Sequence, residues 1–137
     1  MAAGYSGTPT AKKLGIRPGL HVTVLNAPGD YARLLDGVPA GVDLRSSLRG
    51  KSDIVHLFVT RGADLEKRIV AMRKAIEPDG AIWVSWPKRS ARVPTDLTED
   101  VIRGVGLRNR LVDVKVCAID DTWSGLKLVT PVAQRRS

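Results

Sequence analysis

SDIVHLFVTRGADLEKRIVAMRKAIEPDGAIWVSWPKR, residues 52–89, decides the fold. Asp53 opens an apolar run, 54–59, that stops at Thr60-Arg61-Gly62. Leu65, Ile69, Met72 and Ile76 follow at steps of four, three and four, the spacing of one helix face. Glu66, Lys67, Arg68, Arg73 and Lys74 take the opposite side. Pro78-Asp79-Gly80 is expected to break the helix, and 81–86 supplies a second apolar run. Strands apolar on both sides are covered on both sides, and two of them joined by a helix run parallel. The stretch therefore predicts an α/β domain of three layers around a mainly parallel sheet.

Before this unit, residues 1–7 are small and glycine-rich and are expected to form a flexible arm. Thr8-Pro9 looks like a helix start, with Thr8 as cap, for a short helix over 11–14 stopped by Gly15. Residues 20–25 read as the first strand, followed by Asn26-Ala27-Pro28-Gly29-Asp30 and a short helix over 31–35 capped by Asp30. A weak strand over 42–44 and a basic loop to Ser52 complete the first half.

After it, 88–94 is an irregular basic connection. Asp96-Leu97-Thr98-Glu99 resembles a capping box, and Leu97, Val101 and Val105 set a helix face that Gly104 and Gly106 weaken at its end. Residues 111–119 and 123–130 are strands so close in sequence that they pair antiparallel across Asp120-Asp121-Thr122. The expected order places the 20–25 strand beside 54–59, then 81–86, then this hairpin. Residues 131–137 form a basic tail, and the 137 residues are expected to make one domain.

The 22 basic residues outnumber the 14 acidic ones, giving a net charge of +8. That balance favours an anionic small molecule or an acidic protein partner. Nucleic acid is the weaker expectation, because no basic run exceeds two residues and aromatic residues are only 4%. No apolar run nears the ~20 residues that span a bilayer, and MAAGYSGTPTAKK is not a signal peptide, so a cytoplasmic protein with no membrane partner is expected. Cys117 stands alone, which excludes an intrachain disulfide and a cysteine metal cage. It reads as a small apolar residue, and His21 and His56 as structural histidines rather than metal ligands.

In an open parallel sheet, ligands gather outside the carboxyl ends of the strands. Three loops end there, and they offer Asn26, Gly29, Asp30, Thr60, Arg61, Trp86, Lys88 and Arg89 as a candidate anion or polar-ligand site. No nucleophile, base and orienter fall together, so no catalytic residue is assigned. Asp96, Glu99 and Asp100 read as helix-end residues, Asp120 and Asp121 as turn formers. NAPGD carries one glycine, and its proline lacks an amide donor. Dinucleotide and nucleoside-sulfonium loops rely on several glycines, so no cofactor is expected. Asp43 reads as an edge residue rather than a ribose ligand.

The order of elements resembles a shortened class I methyltransferase. DIVHLFVT, the helix closed by IEPDG, and AIWVSW are similar to the later strands of that Rossmann-like fold, and VDVKVCAIDDTWSGLKLV to its reversed last pair. This covers residues 20–130, and it implies S-adenosylmethionine (SAM) as cofactor, from which NAPGD departs. GYSGTPTAKKLGIRPG, DLTEDVIR and GLRNRLVDVKVCAIDDTWSGLKLV also resemble a family of small bacterial proteins of unknown function, which assigns no residue a role. The expectation is a binding or interaction domain of methyltransferase-like fold that has lost the cofactor loop. Its rivals are a methyltransferase-like enzyme with an atypical loop and a basic nucleic-acid-associated protein. A homodimer through an exposed strand edge is also expected.

Overall fold

The computed structural model describes residues 9–135; the expected arm over 1–7, the Thr8 cap and the last two tail residues lie outside them. Six strands form one sheet: β1 (His21–Leu25), β2 (Asp43–Arg45), β3 (Ser52–Phe58), β4 (Ile76–Pro87), β5 (Val112–Ala118) and β6 (Trp123–Val129). Their order is β2-β1-β3-β4-β6-β5. The first four are mutually parallel, and β6 runs antiparallel to both β4 and β5. The fold is the expected α/β one: a mainly parallel, methyltransferase-like sheet that ends in an antiparallel hairpin.

Alternation along the central strands divides the core in two. Val55, Leu57, Ile82, Val84 and Trp86 lie under α3 (Gly62–Ala75) and α4 (Glu99–Arg108), with Leu65, Ile69, Met72, Ile102 and Val105 above them. Ile54, Phe58 and Trp83 face the other way. Ala11 and Leu14 at α1 (Thr10–Lys13), Tyr31 at the start of α2 (Tyr31–Leu34), and Ile119 cover them. Trp83 and Trp86 thus serve opposite faces, as two positions three apart on a strand must.

The central unit departs from the sequence reading at its second joint. Ile76 is the first residue of β4, with φ −91° and ψ 149°, and it pairs with Ser52. Pro78 disfavours a helical Glu77 and removes an amide, so α3 ends at Ala75, one residue before the last position of the apolar spacing. The register then jumps from Ser52–Ile76 to Ile54–Ala81, which makes Pro78-Asp79-Gly80 a bulge inside a strand rather than a loop before one. Gly80 is required there because a Cβ would stand 2.8 Å from the Asp53 carbonyl oxygen. Gly80→Ala is expected to cost about 1–3 kcal/mol, read as a lower urea midpoint at unchanged slope.

Helix α4 also differs in detail. Thr98 is its cap and accepts from the Val101 amide, while Asp96 accepts from the Gly62 amide at 2.8 Å and so caps α3 instead. Ile102, not Val101, is buried, and Val101 is 42% exposed. The helix runs through both glycines to Arg108. Gly106 is buried against Leu128, where a Cβ would approach to 3.1 Å. Among the described residues no helix is long and apolar enough to cross a membrane.

Candidate ligand-binding face

From β1 the chain crosses to β2 on one side and then to β3 on the other, so the sheet order reverses between β1 and β3. Loops at the carboxyl ends of such strands form the crevice where open α/β sheets take ligands. The loop after β1 turns at Asn26, which has φ 58°. Asparagine is among the few residues that adopt this left-handed conformation at low cost. Gly29 is open: a Cβ built there meets no heavy atom within 4 Å. Asp30 caps α2 through the Arg33 amide at 3.3 Å, as the sequence predicts.

The eight candidate residues do not converge on one site. Gly29 and Asp30 line a cleft of about 480 Å³ together with Pro28, Arg33, Asp120 and Trp123. Trp86, Lys88 and Arg89 line a second cleft, of about 520 Å³, with Arg92, Leu97 and Glu99. Asn26, Thr60 and Arg61 line neither. Thr60 instead gives its carbonyl to the Thr95 hydroxyl at 2.6 Å, and Arg61 is exposed before α3.

The sequence reading missed Arg33, Arg92 and the second role of the hairpin turn. Asp120 is the turn former expected, accepting from the Thr122 and Trp123 amides at 2.8 Å each. The same geometry brings it and Trp123 over the β1 loop. Arg92 sits in the basic connection, and its φ of 56° was invisible in the pattern of charges.

Other titratable groups lie elsewhere. Asp43 opens β2 at the far, amino end of the sheet, where His21 and Arg45 hold its carboxyl below the usual carboxylate range. It is an edge residue, paired with His21 at the end of the sheet opposite the two clefts. Glu99 and Asp100 both bind Arg103, which also reaches Asp113 at 3.0 Å. Cys117 is half-buried, and burial pushes its thiol up. Among the described residues no three His, Cys, Asp or Glu side chains gather as metal ligands would.

Beneath the β1 loop lies a buried polar chain. The Tyr31 hydroxyl is 2.7 Å from His56 Nδ1, and His56 Nε2 is 2.6 Å from Ser85 Oγ. His56 and Ser85 have no exposed surface. Burial pushes His56 down to about 3 and the Tyr31 hydroxyl up, so both stay neutral at pH 7. The three residue types suggest acid–base chemistry, but a substrate has no access to His56 or Ser85. The chain positions α2 and, through it, the loop.

No family model and no curated protein matches the sequence. Solved structures match in fold. Magnesium protoporphyrin IX methyltransferase from Synechocystis PCC 6803, solved with bound SAM, is 13% identical, with TM-score 0.58 over 83% of this chain and 71% of its own. A SAM-dependent methyltransferase from Aquifex aeolicus is 12% identical, with TM-score 0.59 over 85% of each. A tRNA methyltransferase from B. subtilis is 9% identical, with TM-score 0.58 over 93% and 68%. At such identities the likeness is one of fold.

One sequence expectation is overturned here, that of no cofactor. The Synechocystis enzyme carries SAM in one structure and S-adenosylhomocysteine (SAH) in another, on this architecture. Counting glycines after β1 is therefore no ground for exclusion. The physical reason is visible in the loop, since Asn26 makes the left-handed turn for which a glycine was sought, and Gly29 keeps the backbone open beyond it.

Proposed function

We propose that this protein is a small-molecule-binding domain of methyltransferase-like fold whose ligand is a nucleoside of the SAM type, held at the β1 loop. The observation that carries this reading is the cleft at the switch point. It combines an open glycine backbone, the carboxylates of Asp30 and Asp120, and the Trp123 ring. A carboxylate accepts from ribose hydroxyls or attracts a cationic ligand end, and an indole offers an apolar wall to a base. Gly29, Asp30, Asp120 and Trp123 would hold the ligand, and SAM would supply an activated methyl group.

The chain's own side chains favour binding over acid–base catalysis. Asp30 and Asp120 already accept from backbone amides, and the one histidine nearby is sealed. Methyl transfer demands positioning more than proton transfer, so a methyltransferase remains the second reading, supported by what the solved neighbours are named for.

Calorimetric titration tests the proposal. SAM and SAH are expected to bind with micromolar affinity. Gly29→Val fills the open space without touching the fold, so it is expected to weaken both by about tenfold or more at unchanged melting temperature. No heat with the unaltered protein ends the reading; equal heat with Gly29→Val moves the ligand away from this loop.

A further inference from the structure

The second cleft stands apart from the β1 loop and carries a charge that the fold does not use. Its lining includes Lys88, Arg89 and Arg92, three cations within five residues. Among the described residues none of their side chains has a hydrogen-bond or ion-pair partner. Glu99 is the one carboxylate on the lining, and Arg103 already holds it. The cations are therefore not neutralised from within. Like charges so close repel one another unless an anion lies between them.

The walls are held in place. The Lys88 amide donates to the Thr122 carbonyl at 2.7 Å, which ties the start of the basic turn to the hairpin. Opposite, Thr95 donates to the Thr60 carbonyl at 2.6 Å, and Asp96 accepts from the Gly62 amide at 2.8 Å. Between these anchors Arg92 takes φ 56°, a conformation arginine adopts at a cost. That conformation caps the short 3-10 turn Arg89–Ala91, with the Arg92 amide donating to the Arg89 carbonyl at 3.2 Å, so the cations sit on one ordered turn. Trp86 and Leu97 supply an apolar floor that solvated surface cations do not need.

We infer that this cleft binds a phosphate monoester carried on a flat, apolar-faced body: a nucleoside 5′-monophosphate, free or as the end of a nucleic-acid strand. Two guanidinium forks and an ammonium suit the two charges and three oxygens of a phosphate monoester better than the single charge of a carboxylate. The volume of about 520 Å³ lies in the ordinary range of about 300–1,000 Å³ for small-molecule sites. The acidic first turn of α4 plays no attractive part, and the side chains of the basic turn do the binding.

Titration with AMP, adenosine, inorganic phosphate and a short single-stranded oligonucleotide, with and without a 5′-phosphate, tests this. AMP is expected to bind more weakly at high salt, and adenosine to give no heat at the same concentrations. Arg89→Ala combined with Arg92→Gly removes two cations, and the glycine relieves the left-handed strain. This pair is expected to weaken AMP by about tenfold or more without lowering the melting temperature. A strand that binds more tightly with its 5′-phosphate than without it, and more tightly than AMP, names a strand end as the source; a 5′-phosphate that adds nothing to the strand names the free nucleotide, and either result upholds the site. Inorganic phosphate binding as tightly as AMP, adenosine equalling AMP, an unaffected double variant, or no heat from AMP each overturns it. Gly29→Val is expected to retain AMP binding, which separates this site from the one at the β1 loop.

Discussion

Replacing His56 with alanine is expected to lower the unfolding free energy by about 3–5 kcal/mol, a large fraction of what a domain of this size has. The ring is wholly buried, stacked on Phe58 at 4.3 Å between centroids. Removing it leaves a void beside Tyr31 and Phe58. It also strands two hydroxyls, because Tyr31 and Ser85 each have the imidazole as partner. A buried polar group left without a partner costs about 1–3 kcal/mol. The ring bonds through both nitrogens, and a neutral imidazole has one donor and one acceptor, so the chain runs in a single direction. Tyr31→Phe and Ser85→Ala should each cost less than His56→Ala, since each removes one link and keeps the ring. A urea midpoint for His56→Ala equal to that of Ser85→Ala would show that the ring carries nothing beyond its contact with Ser85.

The same histidine sets a pH dependence. Burial pushes His56 from its ordinary 6.5 down to about 3. Between those values the unfolded chain takes up a proton that the native protein refuses. More protons bound on unfolding means that stability rises with pH through this window. The contribution is complete above about pH 6.5 and falls by about 1.4 kcal/mol for each unit toward pH 3. Asp43 and Asp113 are held below their ordinary value of 3.8, so their losses begin near that pH and below it. The slope between pH 6 and 4.5 therefore belongs to His56, and His56→Gln should abolish it. A wild-type stability that stays flat across that interval would place the imidazole in contact with water.

Where the sequence was legible, the signal was local. Mostly apolar runs at 54–59 and 81–86, a helix face between them and a two-strand return at the end dictated the sheet order, because few topologies bury such pieces. What failed was the reading of residues whose meaning lies across the chain. Pro78-Asp79-Gly80 looks like a loop by composition, and only the nearness of the Asp53 carbonyl makes it a bulge. Asp96 sits where a cap for its own helix is expected, yet it serves the amide of Gly62, which is 34 residues away.

The candidate site shows the same limit. Position at a strand's carboxyl end is readable in the sequence, and it places Gly29, Asp30, Trp86, Lys88 and Arg89 beside clefts. Their division between two clefts depends on how the hairpin turn and the 88–98 connection fold over the sheet, and no periodicity reports that. The loop after β1 misled for a different reason: composition counts glycines, whereas conformation depends on φ, and Asn26 reaches the left-handed region without being one. His56 reads as structural from the sequence, but its partners Tyr31 and Ser85 are 25 and 29 residues distant and visible only once the strand register is known.

Trp83→Ala is expected to be the most damaging single change, at about 3–5 kcal/mol for the ring alone. Trp83 is fully buried at the centre of β4, and its indole Nε1 donates to the Leu14 carbonyl at 3.0 Å. That carbonyl is at the end of α1, where a helix leaves its last acceptors without internal partners. Helix α1 has four residues, far too few to persist alone. Its place on the sheet rests on burial of Ala11, Leu14 and Ile16, on this bond across 69 residues of sequence, and on the Lys115 ammonium, which donates to the Lys13 carbonyl at 3.0 Å. Trp83→Phe keeps most of the packing and removes the donor, so it should cost about 1–3 kcal/mol and loosen the α1 end selectively. Hydrogen exchange separates the two effects. In Trp83→Phe the amides of Lys13, Leu14 and Ile16 should lose protection while those of β3 keep theirs; in Trp83→Ala protection should fall throughout the sheet. Uniform loss in both variants would mean that α1 is fixed by apolar contact and the Lys115 bond, with the indole bond contributing nothing of its own.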